Sequence, residues 1–350
     1  MLLLTKLIPK IIVVLLVILF FQVIEDCSAL YKGPSSDHFD GRRFFNKEPG
    51  HTLIDTLKWL WEMETVEWPE WVDDPEQPLP VPGVGTGSLR VTFINHSTVL
   101  IQIDSLNILT DPIWSFRAGP FRWAGSKRVR APGVKMSDLP KIDIIIISHD
   151  HYDHLDISTL KKLKKSHDFS IFAGLGIRKI LRSNGFTKII EMDWWQKYTH
   201  EQSRVNITFV PSLHNSGRNL FFGNRTLWGG FVIQGSSGNV YFAGDTAYGQ
   251  FLHQIKRKFN NFRLAIFPVG NYEKRWYMKS QHMNPDDAVR AHKLLKVKQS
   301  VGIHFSTFVE HPEQTIDAHE KDLLRALKKH HVSESKFWLL KFGEGRDVPK

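Results

Sequence analysis

The 350-residue chain has a single cysteine, Cys27, and it lies just past an apolar N-terminal run. No intramolecular disulfide can form, and any bound metal must be held by histidine and carboxylate rather than thiolate. No Gly-x-Gly-x-x-Gly follows the first strand pattern, which argues against a dinucleotide-binding fold. There is no internal repeat at a solenoid period, although two similar halves around a central sandwich are compatible with the pattern. No separate RNA-binding module can be recognised, so no nucleic-acid partner is expected. Aromatic and imidazole side chains are plentiful: 24 Phe, 11 Trp and 17 His, within a hydrophobic fraction of 42%. That is ample core material for one large α/β domain. The net charge of +10 suits an anionic partner, phospholipid headgroups or nucleic acid, and equally suits a basic solvated surface.

Residues 1–29 read as a membrane-targeting segment. Lys6 and Lys10 precede Ile11 to Ile24, which is apolar apart from Gln22, and Cys27, Ser28 and Ala29 form a small-residue cleavage site. The run falls short of the roughly 20 residues of a full span. Leu2 to Leu4 and Leu7 to Pro9 extend it, so a cleaved signal peptide and a retained membrane anchor are both open. Either one implies a membrane-associated protein of the secretory pathway. Asn95, Asn206 and Asn224 each begin an N-x-Ser/Thr sequon, but Asn95 falls in a strand-like run where a glycan would obstruct folding.

Residues 30–86 form an extension before the main domain. Leu53, Ile54, Leu57, Leu60 and Trp61 share one face of a predicted helix. That face is expected to pack on the domain; the alternative makes Trp59, Trp61, Trp68 and Trp71 a membrane-interfacial cluster. Asp73 to Gly87, with Pro75, Pro78, Pro80 and Pro82, reads as an extended linker.

Residues 87–350 form the main domain. Arg90–Ile94, Val99–Ile103 and Asn107–Thr110 read as a strand meander, and Ile142 to Ile147 as a central strand buried on both faces. Further strands are expected at Ser170–Phe172, Asn206–Val210, Gly229–Ile233, Val240–Ala243 and Leu264–Pro268. Helices are expected at Ser158–Lys165, Ile177–Asn184, Pro285–Leu295 and Thr315–His330.

The central strand runs into Ser148-His149-Asp150-His151-Tyr152-Asp153-His154-Leu155-Asp156. On extended chain His149, His151 and Asp153 share one side, because side chains alternate with period two. His154 joins them if the chain turns there, and a turn is expected because Asp156 or Ser158 can cap the next helix. Three imidazoles and a carboxylate then face one cavity, more than a single catalytic zinc draws from one loop, which points to two metals sharing ligands. Left without metal, so many polar groups at the mouth of a buried strand would cost several kcal/mol.

The pattern His149-x-His151-x-Asp153-His154 resembles the metal signature of the metallo-β-lactamase superfamily. That resemblance implies an αββα four-layer sandwich with two zinc ions at the strand ends. It also implies further ligands in order: His214 after Phe209-Val210-Pro211, Asp245 after Val240 to Gly244, and His304 after Val301-Gly302-Ile303. By the same resemblance His149, His151 and His214 would hold one zinc. Asp153, His154 and His304 would hold the other, with Asp245 bridging. A zinc-bound hydroxide then attacks the substrate, with Asp153 and Asp245 as the catalytic carboxylates.

Within the superfamily the chain is similar to the N-acylphosphatidylethanolamine-hydrolysing phospholipase D family from about Tyr31 onward. The stretches that carry the similarity are Leu109 to Ile113, Ile147 to Asp156, Glu191 to Trp195, Tyr272 to His282 with Asn284-Pro285, and Phe342 to Arg346. Ser36 to Asn46 resembles bacterial members of the same group. The resemblance implies hydrolysis of N-acylphosphatidylethanolamine, a membrane phospholipid, to N-acylethanolamine and phosphatidic acid. It places Tyr152, Gln281 and His282 beside the metals as substrate contacts, and it implies a homodimer with a lipid-facing cavity. Asn95-His96-Ser97, Asn215-Ser216 after His214, and Phe305-Ser306 after His304 depart from the family pattern at the pocket wall. Two other functions compete: hydrolysis of a soluble phosphodiester or lactone, and an anchored, non-catalytic binding protein.

Overall fold

Four consecutive isoleucines make the strand on which the site is hung. In the computed structural model, which describes residues 30–48, 50–64, 66–218, 223–309 and 314–350, Ile144–Ile147 is a strand with all four side chains buried. Ile144 and Ile146 enter a core between two sheets, while Ile145 and Ile147 enter a second core beneath helices. Apolar side chains in both directions are what a strand covered on both faces requires. The expected signal or anchor, residues 1–29, lies outside the described residues.

The first sheet begins with the expected meander of β1 (Leu89–Asn95), β2 (Thr98–Ile103) and β3 (Leu106–Thr110). A separate small hairpin of β4 (Arg117–Ala118) and β5 (Ser126–Lys127) follows. The sheet resumes with β6 (Ile144–Ile147), β7 (Ser170–Gly174) and β8 (Ile189–Met192). The second sheet takes β9 (Lys197–Thr199), β10 (Asn206–Val210), β11 (Gly230–Gly235) and β12 (Gly238–Phe242). It continues with β13 (Phe262–Pro268), β14 (Gln299–Ile303) and β15 (Phe337–Trp338). Finally β16 (Gly345–Asp347) returns to pair with β1.

Strand orders are β16-β1-β2-β3-β6-β7-β8 and β15-β14-β13-β12-β11-β10-β9. In the first sheet the β16 to β3 half is antiparallel and the β3 to β8 half parallel. The second sheet repeats this, antiparallel from β9 to β12 and parallel from β12 to β15. The two halves share a topology, as the sandwich reading allows.

Helices cover both outer faces. Leu160 and Leu163 of α2 (Ile157–Leu163) and Ile177 and Leu181 of α3 (Ile177–Ser183) pack on the first sheet. On the second sheet lie α4 (Phe251–Lys258), α6 (Pro285–Leu295) and α7 (Ala318–His330), which bury Leu252, Val289 and Leu327 among others. The short α5 (Arg275–Met278) precedes α6. This is the expected αββα sandwich. Local chemistry explains the helix starts: Asp156 caps α2 through Ser158 N and Thr159 N, and Asn284 caps α6 with Pro285 in its first turn.

The extension differs from expectation at α1 (Leu53–Glu62). Thr52 and Asp55 form a capping box that starts the helix where the apolar spacing places it. Four of the side chains expected to pack on the domain do not, however. Ile54, Leu57, Leu60 and Trp61 are exposed, Trp61 at 90%. Contact with the domain instead runs through Trp59, stacked 4.9 Å from Tyr277, and Thr56 Oγ1, 3.0 Å from the Tyr277 hydroxyl. The physical reason is the size of the neighbour: α5 is one turn long and accepts an aromatic stack rather than an apolar stripe. No described helix is long and apolar enough to cross a membrane. The proline segment is coil along β2 and β3, with Gln102 Nε2 donating to the Val81 carbonyl and Asn107 Nδ2 to that of Pro82, both at 2.9 Å. Asn95 is fully buried and donates to the Ile113 carbonyl, which agrees with the objection to glycosylation there.

His292 of α6 makes the fold sensitive to acid. It is buried with Nδ1 2.8 Å from Ser300 Oγ, and burial, with a smaller effect of Lys336, lowers its pKa to about 4. An unfolded chain, whose histidines titrate near 6.5, takes up this proton first as pH falls. The stability contributed by neutral His292 is therefore full above about pH 6.5 and declines toward pH 4, by about 3 kcal/mol in all. Urea unfolding compared at about pH 7 and about pH 5 should show a smaller loss in His292→Gln than in the wild type. Equal losses would assign the acid sensitivity elsewhere.

Candidate metal centre

All seven expected ligands come together at one edge of the sandwich, each at or just past a strand end. The loop after β6 does turn: His154 N and Leu155 N both donate to the His151 carbonyl, at 3.1 and 2.8 Å, before Asp156 caps α2. His214 follows β10, Asp245 follows β12 and His304 follows β14. Gly244 lets the two sheets meet there. Its φ is +60°, and a Cβ at this position would lie 2.5 Å from Ser148 Cβ, so Asp245 reaches the first-sheet ligands only behind a glycine.

Hydrogen bonds fix which nitrogen each imidazole presents. Ser148 Oγ donates to Asp111 Oδ2 at 2.6 Å, so it accepts from His149 Nδ1 at 2.9 Å and leaves His149 Nε2 with its lone pair. His154 Nδ1 donates to Asp111 Oδ2 at 2.8 Å, and His214 Nδ1 to the Gln281 carbonyl at 3.1 Å; each exposes Nε2 in the same way. His149 Nε2 and His214 Nε2 lie 2.8 and 3.3 Å from His151 Nδ1, which makes one group of three nitrogens. The second group surrounds two carboxylates. Asp153 Oδ2 is 3.3 Å from His154 Nε2 and 3.6 Å from His304 Nε2, while Asp245 Oδ2 is 3.3 and 3.0 Å from the same atoms.

The electrostatics sort the groups alike. Burial, together with the neighbouring imidazoles, holds His149 well below its ordinary pKa. Burial also holds His214 well below and lowers His151, which leaves these three neutral, the form that binds metal. Burial opposes charge on His154, but Asp245, Asp153 and Asp111 raise it well above the ordinary value. Burial likewise opposes charge on Asp153 and Asp245, yet the adjacent imidazoles, His154 foremost, hold both carboxyls well below the usual range.

This donor set fits a divalent metal. Converging imidazole lone pairs and buried carboxylates are what such a cation satisfies, and the fully enclosed Asp245 Oδ1 has no hydrogen-bond partner among the described residues. The opening above, about 300 Å³, is lined by Trp59, Asn271, Tyr277, Met278, Gln281 and His282 beside the ligands. His282 Nδ1 is 3.9 Å from Asp245 Oδ2, and Gln281 Oε1 accepts from Asn215 Nδ2 at 2.9 Å. Tyr152 is set apart: its hydroxyl donates to the Arg218 carbonyl at 2.8 Å, the Arg218 guanidinium covers its ring at 4.0 Å, and both line a neighbouring cavity of about 640 Å³.

Two residues were missed as part of the centre by reading the sequence. Asp111 is wholly buried and takes hydrogen bonds from Ser148 N, Ser148 Oγ and His154 Nδ1. His96 places Nε2 3.0 Å from Asp153 Oδ2. Asp111 had a signal, a carboxylate directly after the apolar strand β3. Its pairing with β6, which aligns Thr110 with Ile146, is a tertiary fact.

Residues 106–305 match the model of the beta-lactamase superfamily domain. The chain belongs to the metallo-β-lactamase superfamily. It is 36% identical over 229 residues to N-acyl-phosphatidylethanolamine-hydrolyzing phospholipase D 1 of Caenorhabditis elegans, a match covering 63% of this chain and 64% of the relative. A mitochondrial N-acyl-phosphatidylethanolamine-hydrolyzing phospholipase D of Saccharomyces cerevisiae is 31% identical, over 66% of this chain and 50% of its own. The chain thus spans about half to two thirds of these relatives' length. Among solved structures, Igni18, a metallo hydrolase of Ignicoccus hospitalis, shares the fold with a TM-score of 0.57 at 20% identity, over 75% of this chain and 99% of that one. Superfamily fold and His/Asp cluster together point to a divalent-metal centre.

Asp111→Asn keeps shape but removes the charge that orients His154. It should weaken divalent-metal binding about 10- to 100-fold in chelator competition, with melting of the metal-free protein as the check that it still folds. Unchanged affinity would deny Asp111 this role.

Proposed function

We propose that the protein is a zinc-dependent phosphodiesterase of the phospholipase D type that hydrolyses N-acylphosphatidylethanolamine to N-acylethanolamine and phosphatidic acid. Two zinc ions would be held, one by His149, His151 and His214 and one by Asp153, His154 and His304, with Asp245 between them. When bound, they supply Lewis acidity toward phosphoryl oxygens and a water of lowered pKa.

The chain's own groups are suited to the rest. The Gln281 amide oxygen is engaged by Asn215, so its amide nitrogen is the donor on offer at the opening. His282 stands on the same rim and can hydrogen-bond a phosphoryl oxygen. Asp153 and Asp245, ionised at neutral pH, hold the histidines of both sheets and would carry the negative charge that the metals need. Trp59, Tyr277 and Met278 wall the opening with apolar surface, which restricts water.

The observation that carries the lipid reading is the position of α1. One face closes the opening through Trp59, and the other exposes Ile54, Leu57, Leu60 and Trp61, side chains suited to a bilayer interface. The printed names of the worm and yeast relatives support the same substrate. In this reading the apolar run before Leu30 tethers the protein to a membrane of the secretory pathway.

The test offers the full chain N-acylphosphatidylethanolamine vesicles, a cyclic nucleotide and a tRNA precursor, each with and without chelator. N-acylethanolamine release that stops on chelation and returns with zinc is expected. Turnover of the soluble substrates alone would sink the lipid reading. Trp61→Ser and Leu57→Ser should each weaken action on vesicles about tenfold through KM, and leave hydrolysis of detergent-dispersed substrate unchanged.

A further inference from the structure

His96 lies outside every expected ligand set, yet it touches the centre twice. Its ring is wholly buried in the β1–β2 turn, and Nε2 lies 3.0 Å from Asp153 Oδ2. A carboxylate oxygen accepts, so His96 Nε2 donates at this contact and is engaged with Asp153 inside the cluster of His96, Asp153, His154 and His304. The His96 carbonyl, in turn, accepts the backbone N–H of His304 at 2.8 Å. The turn is itself pinned, because His96 N donates to Thr307 Oγ1 at 2.8 Å. One residue thereby holds two members of a single ligand group, Asp153 from the first sheet and His304 from the second. The three-histidine group of His149, His151 and His214 has other supports, Ser148 and the Gln281 carbonyl.

We infer that His96 is a positioning residue for one of two metals, orienting Asp153 and His304 for the carboxylate-containing site and leaving the three-histidine site untouched. The inference rests on the two-metal reading above. Holding a ligand in its binding orientation is worth about 10- to 100-fold in metal affinity. Loss of His96 should therefore make the two sites unequal rather than weaken both.

The experiment compares the full chain with His96→Asn and His96→Gln. His96 has φ +48°, a left-handed conformation that asparagine tolerates, so H96N fits the backbone but is too short to reach Asp153. Glutamine puts an amide N–H near the position of Nε2. Zinc content is measured after dialysis against graded chelator, with cobalt(II) spectra as a second readout and melting of the metal-free proteins as the check on folding. Expected for H96N is release of one metal at about 10- to 100-fold lower chelator, with the second retained as in the wild type and its cobalt bands alone remaining. H96Q should recover much of the loss.

Equal weakening of both metals, or two metals held as tightly as in the wild type, would overturn the inference. An H96Q no better than H96N would remove the hydrogen bond as its cause. A wild type holding fewer than two metals would instead strike the two-metal reading, and the inference with it. Should H96N fail to fold, Thr307→Val withdraws the acceptor of the His96 N–H from outside the ligand set and should release the same metal first. No selectivity there would likewise overturn it.

Discussion

Asp245 Oδ2 lies 3.0 Å from His304 Nε2, 3.3 Å from His154 Nε2, 3.7 Å from His214 Nε2 and 3.9 Å from His282 Nδ1. These imidazoles arrive from both sheets and from the loop between α5 and α6, so one buried carboxylate oxygen ties distant parts of the chain to a point. A buried charge without compensation is costly by several kcal/mol, and so is a buried imidazole beside others when protonated. The arrangement persists only if a rigid frame delivers every group together. The αββα sandwich is such a frame, because its parallel strands end at a common edge and their side chains are locked in a packed interior.

The frame closes tightly where Gly244, just past β12 of the second sheet, meets the first sheet. Gly244 sits against Ser148, which donates both its backbone N–H and its hydroxyl to Asp111. Asp111 in turn holds His154, so the approach of two backbones is transmitted through three side chains to a ligand nitrogen. Burial pushes the Asp111 carboxyl up, while His154 and Ser148 pull it back. The balance depends on that small chain of groups remaining dry and complete. The centre is thus only as ordered as its supporting residues, most of which never touch the substrate opening.

Much of this was legible in the sequence because it is written in short-range patterns. The isoleucine run, the meander and the Asn284-Pro285 helix start each carry local signals, and His149 to His154 lie close enough for alternation and one turn to bring them together. His214, Asp245 and His304 needed the family resemblance, since a lone polar residue after a strand says little by itself. Among the elements not expected are α4, β8, β9, β14, β15 and β16, of which α4 does carry an apolar face in Phe251, Leu252 and Ile255 while the last two have weak local signals. β15 and β16 are two and three residues long, and β16 gains its identity only by pairing with β1 across most of the chain. Asp111 and His96 stood in stretches the resemblance singled out, but their contacts with the ligands could not be read there, because those contacts exist only once β3 lies beside β6 and the β1–β2 turn reaches β14. The apolar face of α1 misled in the opposite direction. Periodicity reports that a stripe exists, not what covers it.

The extension before the main domain illustrates how the site draws on the whole chain. Phe39 and Phe44 enter the main core, and His38 stacks on Trp194 at 4.4 Å while bridging Asp37 and Asp193 at 2.7 and 2.8 Å. Although burial opposes it, these two carboxylates raise the His38 pKa, which strengthens the clamp in its charged form. A few residues on, Asn46 Nδ2 donates to the His214 carbonyl at 2.6 Å, and α1 then lays Trp59 over the opening. The segment that presents apolar side chains to the exterior therefore also steadies a metal ligand and forms a wall of the cavity. A lipid reading of the protein needs that coupling, because a phosphodiester held at a membrane surface must reach buried carboxylates without flooding them. A helix with one face on the metal opening and the other turned outward satisfies both demands with a single element.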